Sequence, residues 1–96
     1  MTGIKIAEAD LHPHFRARMH QHGITPAEVE DTINQGWKAD DAKPGTLGKT
    51  KVYDYNREWE GDSYSRKEVT VYYKLIGGQL ILLTVKARYG QSFLER

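Results

Sequence analysis

His14, Arg18 and His22 follow one another at a spacing of four, immediately before Gly23. At about 100° per residue, that spacing climbs one side of a helix. An imidazole exchanges a proton near neutral pH, and a guanidinium keeps its charge and forks two hydrogen bonds onto a phosphate. A face carrying both suits phosphodiester chemistry; read more plainly, it is a solvated helix face with a stabilising polar trio. Leu11, Phe15 and Met19 form an apolar stripe beside it at the same spacing, so one side of the helix anchors while the other is left at the edge.

The elements that must position this face are signalled unevenly. Pro13 is a favoured first-turn residue, and Gly23 supplies a left-handed stop, which predicts a first helix over Pro13 to His22. Thr25-Pro26-Ala27-Glu28 is a capping box with proline at the first helical position. Ile24 and Val29 sit where a hydrophobic staple closes. Val29 and Ile33 then face the core, Gly36 ends this second helix, and Trp37 is expected to pack back over its last turn. Ile4 and Ile6, flanking Lys5, read as an edge strand or a tucked-in terminus.

Lys38 to Lys49, with Pro44, Gly45 and Gly48, reads as a loop. Thr50 to Asn56 alternates as a strand, Val52 on one face and Tyr53 and Tyr55 on the other. Arg57 to Arg66 reads as a polar connection whose Trp59 and Tyr64 either stack on bases or cover a sheet edge. Val69 to Ile76, Gly77-Gly78 and Gln79 to Ala87 form the clearest hairpin, with Ile76 opposite Gln79. An unbroken register puts Val69, Val71, Tyr73, Leu82, Thr84 and Lys86 on one face, and Tyr72, Leu83 and Val85 on the other. Both faces are apolar near the turn, which predicts a central hairpin covered on both sides over part of its length. The expected architecture is a single α+β domain over residues 1–96. Two N-terminal helices pack on one face of an antiparallel meander of three to four strands.

Ninety-six residues make one modest core and a shallow groove rather than a deep interdomain cleft. Net charge is only +1, too little for a protein that grips nucleic acid by electrostatics alone. The sum hides an asymmetry: residues 1–48 carry five Lys/Arg against seven Asp/Glu, and residues 49–96 carry nine against six. Without cysteine there is no disulfide, thiolate zinc site or cysteine nucleophile. The longest apolar run, Leu80 to Leu83, is far too short to span a bilayer, and the chain is expected to be cytoplasmic, away from membranes. His12, His14, His20 and His22 look like two His-x-His pairs, but helical neighbours two apart point about 200° from each other. No converging metal site is expected, and no cofactor motif is present.

The His14, Arg18, His22, Gly23-Ile24 pattern, followed by the second helix with Val29 and a closing hairpin ending in Thr84-Val85, resembles the small bacterial domain-of-unknown-function family 4258. That family lies within the RelE-like group of ribonucleases and toxins. The resemblance spans His14 to about Val85, with His22 standing where arginine is usual. It implies a RelE-like fold, metal-independent endoribonuclease activity, an RNA substrate that is free or ribosome-bound, and an antitoxin or immunity protein as partner.

Such cleavage needs a base for the ribose 2′-hydroxyl, a cation for the pentavalent phosphate and an acid for the leaving 5′-oxygen. His14 is the candidate base or acid, and Arg18 the phosphate ligand. Thr84 is a candidate substrate or His14 partner. Tyr73, predicted on the face of Thr84, is a proton donor or stacking surface, or else a core tyrosine. His22, Lys86 and Arg88 are candidate substrate-binding residues. The competing class is a non-catalytic module of the same fold that binds RNA or a protein through the same residues.

Overall fold

The computed structural model describes residues 3–95. A short 3₁₀ turn, Glu8–Asp10, precedes α1 (Pro13–His22) and α2 (Pro26–Gln35). Four antiparallel strands follow in meander order: β1 (Trp37–Lys38), β2 (Leu47–Trp59), β3 (Asp62–Ile76) and β4 (Gln79–Gly90). This is the expected α+β architecture, with α1 packed on β4 and α2 on β2 and β3.

Both helices begin and end where local chemistry dictates. Gly23 terminates α1 at φ 69°, and a Cβ there would also collide with the Trp59 ring. Thr25 accepts a hydrogen bond from the Glu28 backbone N–H, and Glu28 returns one to the Thr25 N–H. Leu11, Phe15 and Met19 are buried, as are Ile24, Val29 and Ile33. They meet Val69, Val71, Tyr73, Leu82 and Val85 of the sheet to form one core. The terminus is tucked in rather than a strand, with Ile4 and Ile6 against the core and their N–H groups bonded to Asn34 and Glu30 of α2.

The strands run longer than their sequence patterns. Residues Arg57 to Arg66 are not a polar connection, because β2 and β3 continue to a tight turn at Glu60-Gly61, where both residues have positive φ. A register irregularity between Asp54 and Arg57, with Asn56 at φ 50°, breaks the alternation and disguises the strand. Trp37 does not fold back over α2. It opens β1 and pairs with Thr50, so the predicted Lys38 to Lys49 loop shrinks to residues 39–46. Nor is the last hairpin central: β4 is an edge strand, and Leu75, Ile76 and Ile81 near its turn are exposed.

The consequential departure is inside β4. Ile76 opposes Gln79 as expected, but Tyr73 opposes Leu82 while Tyr72 opposes Thr84, leaving Leu83 as an extra residue. Because side chains alternate with period two, this β-bulge inverts everything after it. Val85 and Ala87 turn to the core, and Thr84, Lys86 and Arg88 turn to the opposite, helix-free face.

The core face is pinned by two ionic contacts. Lys67, 2% exposed, donates from Nζ to the Gly23 carbonyl at 2.5 Å and to Glu28 at 2.8 Å, tying the α1–α2 connection to the middle of the sheet. Lys51 of β2 reaches Asp31 of α2 at 2.5 Å, and Tyr53 donates its hydroxyl to the same carboxylate at 2.8 Å. These hold the Asp31 carboxyl below its ordinary range, the Lys51 hydrogen bond foremost, against the opposing effect of burial. A carboxyl lowered by folding adds stability that is present above about pH 4, its unfolded value, and is lost as pH falls through the folded value. Asp31→Asn is therefore expected to flatten the fall in Tm on acidification below about pH 4, measured by thermal unfolding across pH.

Candidate functional site

α1 lies along the outer edge of β4, held at both ends by histidines. His12 is the N-cap: its Nδ1 accepts from the Phe15 N–H at 3.3 Å, and its Nε2 donates to the Leu82 carbonyl at 2.8 Å. His22 closes the helix, its Nδ1 accepting from the Ala87 N–H at 3.3 Å, while Tyr89 donates its hydroxyl to the His22 carbonyl at 2.6 Å. The spans match: ten helical residues cover about 15 Å, and Leu82 to Ala87 covers about 16 Å of strand. Two backbone groups of an otherwise open edge are thereby capped.

These contacts sort the predicted polar stripe. His22 is an anchor, with Nδ1 consumed as an acceptor. His14 is exposed and parallel to the His12 ring, 6.2 Å between centroids. Arg18, half-buried between the two anchors and on the stripe of His22, spends one N–H on Gln21 at 3.2 Å. The helix thus lies beside the strand that carries Thr84, Lys86 and Arg88, whose side chains turn to the face opposite the helices.

Tyr73 does not belong to this set. It is 4% exposed in the core, its hydroxyl pKa raised by burial, and the bulge separates it from the face of Thr84. The expected common face of Tyr73, Thr84 and Lys86 is corrected accordingly. Among the described residues, no group of three or more His, Cys, Asp or Glu side chains converges to hold a metal ion, and no helix is long and apolar enough to cross a membrane.

On the helix-free face the register builds a grid. Trp37, Thr50, Thr70 and Lys86 stand in one row across all four strands; Gly48, Tyr72 and Thr84 flank it on one side, and Val52, Glu68 and Arg88 on the other. Thr50 and Thr70 are buried and share a hydroxyl hydrogen bond of 3.0 Å. The loop after β1 closes over Gly48, where a Cβ would lie 2.9 Å from that of Ala39. It delivers Asp41, whose carboxylate accepts from the Tyr72 hydroxyl at 2.7 Å and from Lys86 Nζ at 3.0 Å. Arg88 forks onto Glu68 at 2.8 and 3.1 Å and lies 5.1 Å over the Phe93 ring.

The electrostatics follow from these contacts. The Tyr72 hydrogen bond, then Lys86, holds the Asp41 carboxyl below its ordinary range. Burial, then Asp41, raises the Tyr72 hydroxyl, while Lys86 is raised by Tyr72 and Asp41. At neutral pH the cluster is a carboxylate, a neutral phenol and an ammonium, so it orients cations rather than shuttling protons.

Sequence reasoning missed His12 as an anchor, although a histidine directly before the first-turn proline occupies the N-cap position. Nothing local marks Asp41, Glu68 or Trp37, because long-range pairing assembles them. Fold and surface define an α+β class in which two helices back one face of a four-stranded meander and leave the other face open. No protein-family model, curated protein or solved structure matches the chain.

Proposed function

We propose that this chain is a metal-independent endoribonuclease of the RelE-like type, acting along the β4 edge. The observation that carries the reading is the pair of histidine anchors, His12 to Leu82 and His22 to Ala87. They fix α1, which carries His14 and Arg18, beside the strand bearing Thr84, Lys86 and Arg88, and this supports the reading. His14, exposed on α1, takes the 2′-hydroxyl proton or supplies one to the leaving oxygen. Arg18 stabilises the phosphorane, Thr84 hydrogen-bonds the substrate, and Lys86 and Arg88 draw in flanking phosphates. An antitoxin or immunity protein is the partner such an activity requires.

The test is RNA cleavage in EDTA, with free RNA and with ribosome-bound message. Cleavage leaving 2′,3′-cyclic ends is expected, falling about 10²–10⁴-fold in folded His14→Ala and by a comparable factor in Arg18→Ala. An unchanged rate in His14→Ala removes the histidine from the mechanism.

A non-catalytic RNA- or protein-binding module is the second reading. One observation favours it: His12, stacked beside His14, has both ring nitrogens engaged in anchoring, and Tyr73 is buried in the core. RNA binding without cleavage in both substrates decides for this module.

A further inference from the structure

The helix-free face contains a groove of about 520 Å³, within the range of small-molecule sites. Its floor is low and polar-satisfied, made by the mutually bonded Thr50 and Thr70. Trp37 rises from β1 as one wall; Lys86 and Arg88 rise from β4 as the other, three strand intervals or about 14 Å away between Cα atoms. Asp41 and Leu94 help to line it.

We infer that this groove is a nucleotide slot, in which a base stacks on Trp37 and its phosphate binds Lys86 and Arg88. The chemistry is complementary on both sides. An indole face accepts any flat heteroaromatic base, and cations with spare donors accept a phosphate. Those donors remain although both cations are paired. Lys86 gives Asp41 one of three N–H groups, and Arg88 gives Glu68 two of five, with side chains 42% and 65% exposed. The carboxylates therefore hold the cations in place without exhausting them. A walled groove with an aromatic on one side admits an unpaired strand and excludes a duplex, whose bases are stacked away.

The slot deepens the RNA reading by assigning a single-stranded segment to this face, and its nucleotide chemistry is shared by free nucleotides and RNA. Lysine and arginine here serve binding, whereas the proposed proton transfer stays at His14.

Nitrogen-15 NMR of the full chain tests this directly, because its two tryptophans give separate indole N–H signals, assigned through Trp37→Phe. Adenosine 5′-monophosphate and hexaadenylate are expected to shift the Trp37 signal and spare Trp59, which is stacked on Tyr89 at 4.8 Å. Inorganic phosphate alone is expected to leave Trp37 unmoved. Trp37→Ala is expected to weaken hexaadenylate about tenfold, the order of one base–aromatic stack, and Lys86→Ala with Arg88→Ala to weaken it further. A shift by mononucleotide but not by hexaadenylate identifies the free nucleotide as the ligand. A Trp37 signal unmoved by both probes overturns the inference, as does a shift indifferent to the paired Lys86/Arg88 change. If RNA is cleaved while Trp37 stays still, only the slot fails; if Trp37 responds and no RNA is cleaved, only the ribonuclease reading fails.

Discussion

Replacing Val85 by aspartate is expected to abolish the cooperative thermal transition, whereas replacing its neighbour Lys86 by valine is expected to leave it within about 1 kcal/mol of the parent. Val85 is fully buried against the helices, and a carboxylate there has no partner among the surrounding apolar side chains. Burying such a group costs several kcal/mol, a large share of the roughly 5–15 kcal/mol that stabilises a domain. Lys86 faces the open side, where its loss removes a half-exposed ion pair with Asp41 and a contact with the Tyr72 ring. An unbroken β4 register instead turns Val85 away from Val71 and Tyr73, so it predicts that Val85→Asp is far milder and that Lys86→Val, which would take a cation out of the core, is stabilising. Circular dichroism melts of the two variants thus read the bulge at Leu83 directly. A cooperative Val85→Asp melt close to the parent's, beside a stabilised Lys86→Val, would refute the inverted register.

Lys67→Met is expected to lower Tm by roughly 12–24 °C, from about 3 kcal/mol at the sensitivity of a domain this size. The substitution keeps the aliphatic stem but removes the ammonium that faces Glu28 across a nearly dry contact, and it strips a donor from the Gly23 carbonyl. Glu28 keeps its hydrogen bond from Thr25, so the residual penalty is that of a half-compensated carboxylate. Adding Glu28→Gln to Lys67→Met is expected to recover part of the loss, because a neutral amide is cheaper to leave unpaired. Equal melting temperatures for Lys67→Met and the parent would show that the pair contributes nothing net.

The same contact explains why the connection between the helices is short and fixed. Gly23 ends α1, Thr25 and Glu28 start α2, and Lys67 clamps both from the sheet. Tyr55 and Tyr89 flank the ammonium, each ring centroid 5.7 Å away, and extend the clamp into the aromatic cluster containing Trp59 and Tyr64. Those two aromatics, for which the sequence allows either base stacking or edge covering, are occupied with Tyr89.

The sequence by itself determined the parts whose signals are local. Proline at the first turn, the Thr25–Glu28 box and apolar spacing of four fixed both helices and their buried faces, because caps and helical hydrogen bonds join residues at most a few positions apart. The Gly77-Gly78 turn fixed the start of the β3–β4 pairing in the same way. Tertiary structure alone decided where that pairing slips. An alternating strand fits either face after a one-residue shift, and only burial against α1 selects Val85 and Ala87 as the inner pair. It also decided which histidines remain free, since Leu82 and Ala87 lie some seventy residues from the rings they anchor. The candidate site was therefore legible in His14 and Arg18, and in the residue types of Thr84, Lys86 and Arg88. The face those three occupy, and their alliance with Trp37, Asp41 and Glu68, follow from hydrogen-bond register across four strands, which no local pattern encodes.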